Sequence, residues 1–357
     1  MEGSPVDIVI FAPLAPILGV LLFWFIKLLF IEAQKYFLDK IRPKHEPLCR
    51  FTNFLGILFQ TICHALGFTV TKSGISDVYL SVNYGKVAPK KEKKGIFEWI
   101  ANAFLFIGPF FIPAFLLFLC VLILIPDIFS VKLPSEIINM RYTFAGQLIS
   151  FGTNLYVFSQ KFLSFLIFKM DLLNPGHFGF LLLLIFLGMG IRPSYIGEKK
   201  IDRVDMMYDL KNVWNLITHK PLYILLLFLF SYNIFFISVL FSQDWYNLLF
   251  SVFGFLSIIS IIAIIIALML LSLINATDKI EGWKKYVPYI CLPLSYILMR
   301  ILFYYFPTPF YLGFSTLFMV IFTFVVTMLI LNKGDKFKTL LKIKWRKKKP
   351  EEKKDGQ

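Results

Sequence analysis

The chain has 357 residues, of which 58% are hydrophobic and 42 are Phe, with a mean hydropathy of +0.72 and a net charge of +15. A soluble chain of this length cannot hide so much apolar surface, so lipid must be part of its solvent. The charge is clustered: 11 of the 37 Lys and Arg follow Leu331, and no nucleic-acid-binding motif accompanies them. That pattern suits the cytoplasmic face of a membrane and argues against nucleic acid as a partner. Cys49, Cys63, Cys120 and Cys291 show no CxxC spacing, and free buried thiols are expected in place of a disulfide framework.

Residues 8–31 form the first apolar run. The preceding MEGSPVDIV is acidic and lacks a basic n-region, so the run reads as a retained span. Lys27, near its inner end, is expected to snorkel toward water. The loop 32–50 is basic and should be cytoplasmic. Residues 51–69, FTNFLGILFQTICHALGFT, are apolar enough to be buried yet carry Gln60, Thr61, Cys63 and His64 on two helical turns. Polar groups at such depth cost about 2–7 kcal/mol each unless they find partners, so a site is sought here first. In the next stretch Gly74, Asp77 and the alternation from Val78 to Val82 predict two short strands around a turn, ended by Pro89 and the Lys90–Lys94 run.

The segment Gln60-Thr61-Ile62-Cys63-His64-Ala65-Leu66 resembles the HExxHAL helix of site-2 protease-like membrane metallopeptidases. In that family two histidines at i and i+4 bind zinc and the Glu is the general base. His64 keeps the second histidine; Gln60 replaces the first and Thr61 the base. The family also places a small β element after this helix and often a Gly-Pro in the next span, as Gly108-Pro109 is here. Its third ligand is an Asp in an NxxPxxxLDG segment. This chain has Asn174-Pro175-Gly176-His177 and no LDG, so no third ligand is carried over. His64 and His177 remain candidate metal ligands, with zinc the ion the resemblance implies. Without the Glu and the first His, the family's hydrolytic activity is not inherited.

The remaining elements follow in order. Residues 96–125 read as a span interrupted by Gly108-Pro109 and Pro113, with Glu98 and Asn102 at its start. Residues 126–142 read as an external loop. Residues 143–168 are apolar but carry Gln147, Asn154, Gln160 and Lys161, so they either span poorly or lie at the interface. A short apolar run covers 178–191. In 192–220, Glu198, Asp202, Asp205 and Asp209 share one helical face, with Met206, Leu210, Val213, Trp214 and Ile217 as an apolar flank. An interfacial amphipathic helix with its acids toward water is expected there, a cation site or a docking surface being the alternative. Spans at 221–241, 248–275, 286–306 and 311–331 alternate in linker charge as the positive-inside rule requires. Arg300, inside a late span, should snorkel.

The expected fold is an all-α polytopic integral membrane protein of about 7–9 transmembrane helices with a small β element after the second hydrophobic segment. Charge bias prefers seven, with 51–69 buried or re-entrant. Four regions are expected: 1–191, resembling a degenerate site-2 protease-like core; 192–220, a cytoplasmic amphipathic segment; 221–331, a four-helix membrane region; and 332–357, a basic cytoplasmic tail. The expected setting is the plasma membrane, with the N-terminus outside and the C-terminus cytoplasmic. The expected partners are the lipid bilayer, anionic headgroups at the tail and another membrane protein. Three functions are open: a non-catalytic, pseudo-protease-like binding or scaffold protein; a metal-dependent hydrolase with a rearranged site; and a transporter or membrane-complex subunit.

Overall fold

The computed structural model describes residues 4–82, 85–128, 142–191, 206–306 and 308–346, with side chains described as far as Asn332. It is helical apart from one two-stranded sheet. The helices are α1 (Leu14–Ile41), α2 (Glu46–Val70), α3 (Ile96–Ile107), α4 (Ile112–Leu124), α5 (Phe144–Ser164), α6 (Pro175–Gly190), α7 (Met206–Thr218), α8 (Pro221–Leu240), α9 (Trp245–Thr277), α10 (Val287–Tyr305) and α11 (Tyr311–Arg346); β1 (Ile75–Leu80) and β2 (Gly85–Pro89) lie between α2 and α3. Among the described residues six helices are long and apolar enough to cross a membrane, and the bent pair α3 and α4 makes a seventh if it is one span. The protein is therefore an all-α polytopic membrane protein.

Local chemistry sets these boundaries. Pro43 follows the helical Arg42 at the end of α1, and without an N–H it cannot continue the hydrogen-bond ladder. Pro47 sits in the first turn of α2, where its missing N–H costs nothing. α2 is continuous from Glu46 to Val70, so the stretch 51–69 is part of a full-length helix and not a short re-entrant one. It ends where Lys72 and Gly74 take positive φ, which turns the chain into β1. Pro109 and Pro113 interrupt the next run: neither donates a backbone hydrogen bond, and the helix breaks at a tight turn, Gly108–Phe110, with a 58° bend between α3 and α4.

The described residues fall into two compact units. The first lies within Met1–Leu166 and Asp171–Leu271. Its core is built from α1, α5 and the first part of α9: Phe23 meets Phe151, Phe158 stacks on Phe255 at 4.4 Å, and Leu28, Ile31, Phe110, Ile191 and Ile264 form one buried cluster. The stretch expected to span poorly is a regular 21-residue helix, α5, and it is not one of the six helices long and apolar enough to cross a membrane. Its Gln147 and Asn154 both face α9. There Asn247, fully buried, donates to the Gln147 backbone and side-chain oxygens at 2.9 and 3.2 Å, and it accepts from Asn154 and Ser251 at 3.2 Å each.

Two further expectations change in this unit. Lys27 does not snorkel; it is fully buried and its amine is bonded inside the protein. On α7 the described acid does not face water: Asp209 is 2% exposed, whereas Trp214 of the expected apolar flank is 64% exposed. Met206 and Leu210 pack on the cluster around Leu28 and Ile31, which turns Asp209 inward with them. Glu198, Asp202 and Asp205 lie outside the described residues, as does most of the loop 126–142.

The second unit lies within Ile167–Met170 and Ser272–Gln357. α10 and α11 form its antiparallel helical hairpin, and the Thr277 and Tyr289 hydroxyls are 2.7 Å apart beside it. The Arg300 guanidinium stands 4.8 Å from the Tyr311 ring, a cation–π contact that holds this charge among the helices. α11 continues through Arg346, well into the segment expected to be a tail.

Candidate functional site

The stretch with the polar residues, the hairpin after it and the broken span form one assembly around α2. β1 and β2 are antiparallel, with Ile75 opposite Pro89, Val78 opposite Val87 and Leu80 opposite Gly85, and an irregularity between Ile75 and Asp77. The hairpin does not project from the end of α2 but folds back along it. The Asn53 side chain donates to the Val82 carbonyl at 2.9 Å, and Gly85 lies against Ile57 and Thr61. Its base is tied to the helix end: the Ser73 N–H donates to the Phe68 carbonyl, and the Thr71 hydroxyl donates to the Gly67 carbonyl while Lys93 donates to that of Thr71. The tip of a β-hairpin thus rests beside the middle of a helix with the length and composition of a membrane span.

Gly85 makes this possible. A Cβ there would overlap the Thr61 hydroxyl and stand 2.9 Å from Ile57 Cγ2. Val87 on β2 is buried, whereas every residue of β1 is exposed. Ile75, Val78, Tyr79 and Leu80 present apolar surface outward, and β1 pairs with β2 alone among the described residues.

The polar residues of the QTICHAL segment have separate surroundings. Thr61 is buried; its hydroxyl donates to the Ile57 carbonyl at 2.8 Å and is covered by Gly85. A hydroxyl used this way cannot take a proton from water as a carboxylate does. Cys63 is fully buried beneath Gly108, whose Cβ would stand 2.8 Å from the sulfur. His64 is half-buried and stacks on Phe68 with ring centres 4.4 Å apart. Gln60 is also half-buried. Glu98 is exposed near the start of α3, whose Ala101 lies against Gly67, beyond His64 toward the end of α2.

His177 belongs to another environment. Asn174 caps α6 by accepting from the Gly176 and His177 N–H groups at 2.9 and 3.4 Å. His177 Nδ1 accepts from the Asp171 N–H at 3.0 Å, and its ring meets the edge of Phe165. The structure does not bring His64 and His177 together. Phe51 faces Phe186 and Leu55 touches Gly190, so α2 and α6 run in the same direction there. His64 lies beyond that contact and His177 far before it, which at a rise of ~1.5 Å per residue leaves them roughly 33 Å apart along the helix axes. Among the described residues no three His, Cys, Asp or Glu side chains form a group that would hold a metal ion.

Of two residues that position this assembly, Asn53 escaped the sequence reading and Lys27 was assigned to snorkelling. Asn53 holds the hairpin tip, and Lys27 donates to the Phe110 carbonyl at 3.0 Å at the break of the α3–α4 span. Both are polar residues inside an apolar run, which is the signal that singled out Gln60 to His64. Comparison of the chain with protein-family models, curated proteins and solved structures returns no match.

Proposed function

We propose that this is a non-catalytic, pseudo-protease-like membrane protein, of the plasma membrane with its N-terminus outside and its C-terminus cytoplasmic, that binds an extended segment of another membrane protein along the outer edge of β1. The observation that carries this reading is the exposed, apolar β1 strand held beside α2. A strand edge presents unpaired N–H and C=O groups, and no such edge is stable facing hydrocarbon. An added strand satisfies those groups and covers the apolar side chains of Val78 and Tyr79 at the same time. The degenerate site-2 protease-like pattern fits a core that retains a cleft for a peptide but has Thr61 where hydrolysis needs a carboxylate.

Photo-crosslinking amino acids placed at Val78 and Tyr79, in protein kept in its native membrane, test this. The expected result is adducts whose partner peptide is an extended apolar segment of a membrane protein, with a probe at the exposed Phe115 on α4 giving lipid adducts as the control. Lipid adducts at all three positions would sink the proposal. A transporter or membrane-complex subunit is the second reading, favoured by the 58° break in the α3–α4 span, since interrupted helices mark substrate and ion paths.

A further inference from the structure

Lys27 is fully buried in a helix of membrane-span composition, and an intramembrane charge is costly and retained for a role. Its ammonium donates to the Phe110 carbonyl at 3.0 Å. It also lies 3.9 Å from the centre of the Phe111 ring and 5.9 Å from that of Phe110. Trp24 meets Phe110 edge-on, and Leu28 and Ile31 pack beside it. Among the described residues no carboxylate pairs with Lys27. What faces the amine is the turn Gly108–Phe110, at the C-terminal end of α3. The carbonyl the amine meets is that of Phe110, the last residue of this turn, and an ammonium bonded to it makes a charge-assisted hydrogen bond. The ring face adds a further attraction that a neutral side chain of the same length lacks.

We infer that Lys27 is the latch of the broken span: its ammonium, seated at the C-terminal end of α3, fixes the bend between α3 and α4. A cation tethered to α1 here does what a bound cation does at the ends of other interrupted membrane helices. The bend in turn sets how α3 meets α2, because Gly108, in the same turn as Phe110, is the residue that covers Cys63. This role is independent of any partner at β1.

Lys27→Met tests it, because methionine fills nearly the same space and removes only the donor and the charge. Amide hydrogen exchange is compared in lipid nanodiscs for peptides covering 104–118 and, as the control, for α9. The expected result is exchange at least about tenfold faster in 104–118 with α9 unchanged. Unchanged exchange in both regions would overturn the latch. If Lys27→Met does not fold, Phe111→Leu decides, since it keeps the ammonium and removes the nearer ring. Faster exchange confined to the break supports the latch, and none overturns it.

Discussion

Gly85→Ala is expected to lift the hairpin tip off α2. The new methyl group would occupy the space of the Thr61 hydroxyl, and Thr61 cannot retreat because its oxygen is bonded to Ile57 one turn back. Crowding of this kind costs about 1–3 kcal/mol, and the least expensive relief is local: the tip moves and the helix stays. The contact between Asn53 and Val82 should be lost with it. Limited proteolysis in detergent should then cut between β1 and β2 in the variant while leaving the helices intact. The double variant Thr61→Ala with Gly85→Ala removes the obstructing oxygen, and resistance to cleavage should return. Cleavage that persists in the double variant would show that the hairpin is not seated on Thr61. Adducts at Val78 and Tyr79 should weaken in Gly85→Ala, because β1 then has no fixed position.

The second large effect is expected at Asn247, which joins α5 to α9. Asn247→Leu keeps the size of the side chain but removes its four bonds to Gln147, Asn154 and Ser251, while the 3.1 Å bond from Asn154 to Ser251 stays. Single hydrogen bonds between membrane helices contribute little, about 0.6 kcal/mol on average, because the unfolded helix also finds partners. Losing the hub removes four such bonds at once, so a loss of about 2–3 kcal/mol is expected. Unfolding titrations in mixed micelles would read it. Asn154→Leu, at the edge of the same network, should cost clearly less. Equal losses for the two would show that Asn247 is no hub and that the helices meet through apolar packing alone.

The hairpin illustrates what local sequence reveals. Alternation from Val78 to Val82, a turn and the Pro89 stop are all contained within about twenty residues, and strand pairing between neighbours follows from them. Where the hairpin would lie was not legible, because Asn53 and Gly85 meet α2 and β2 across a reversal of the chain. Gln147 and Asn154 show the opposite case. They lower the hydropathy of α5, which does not qualify as a span, but hydropathy could not show their partner, Asn247, about a hundred positions away. Lys27 was expected to reach water because a long side chain usually does; the break at Pro109 supplied a nearer acceptor. Asp209 turned inward because Met206 and Leu210 had a larger apolar surface to bury.

The sequence by itself determined the membrane class, the positions of most spans and the β element. These depend on residues that are close together in the chain, whose hydropathy, turn chemistry and side-chain identity act locally. Only the tertiary structure decided that the hairpin folds back on α2, that Lys27 meets Phe110, that Asn247 gathers its partners, and that His64 and His177 stand far apart. Each of these is a pairing between distant segments, and the cost of a polar group inside a membrane protein is set by whether such a partner arrives.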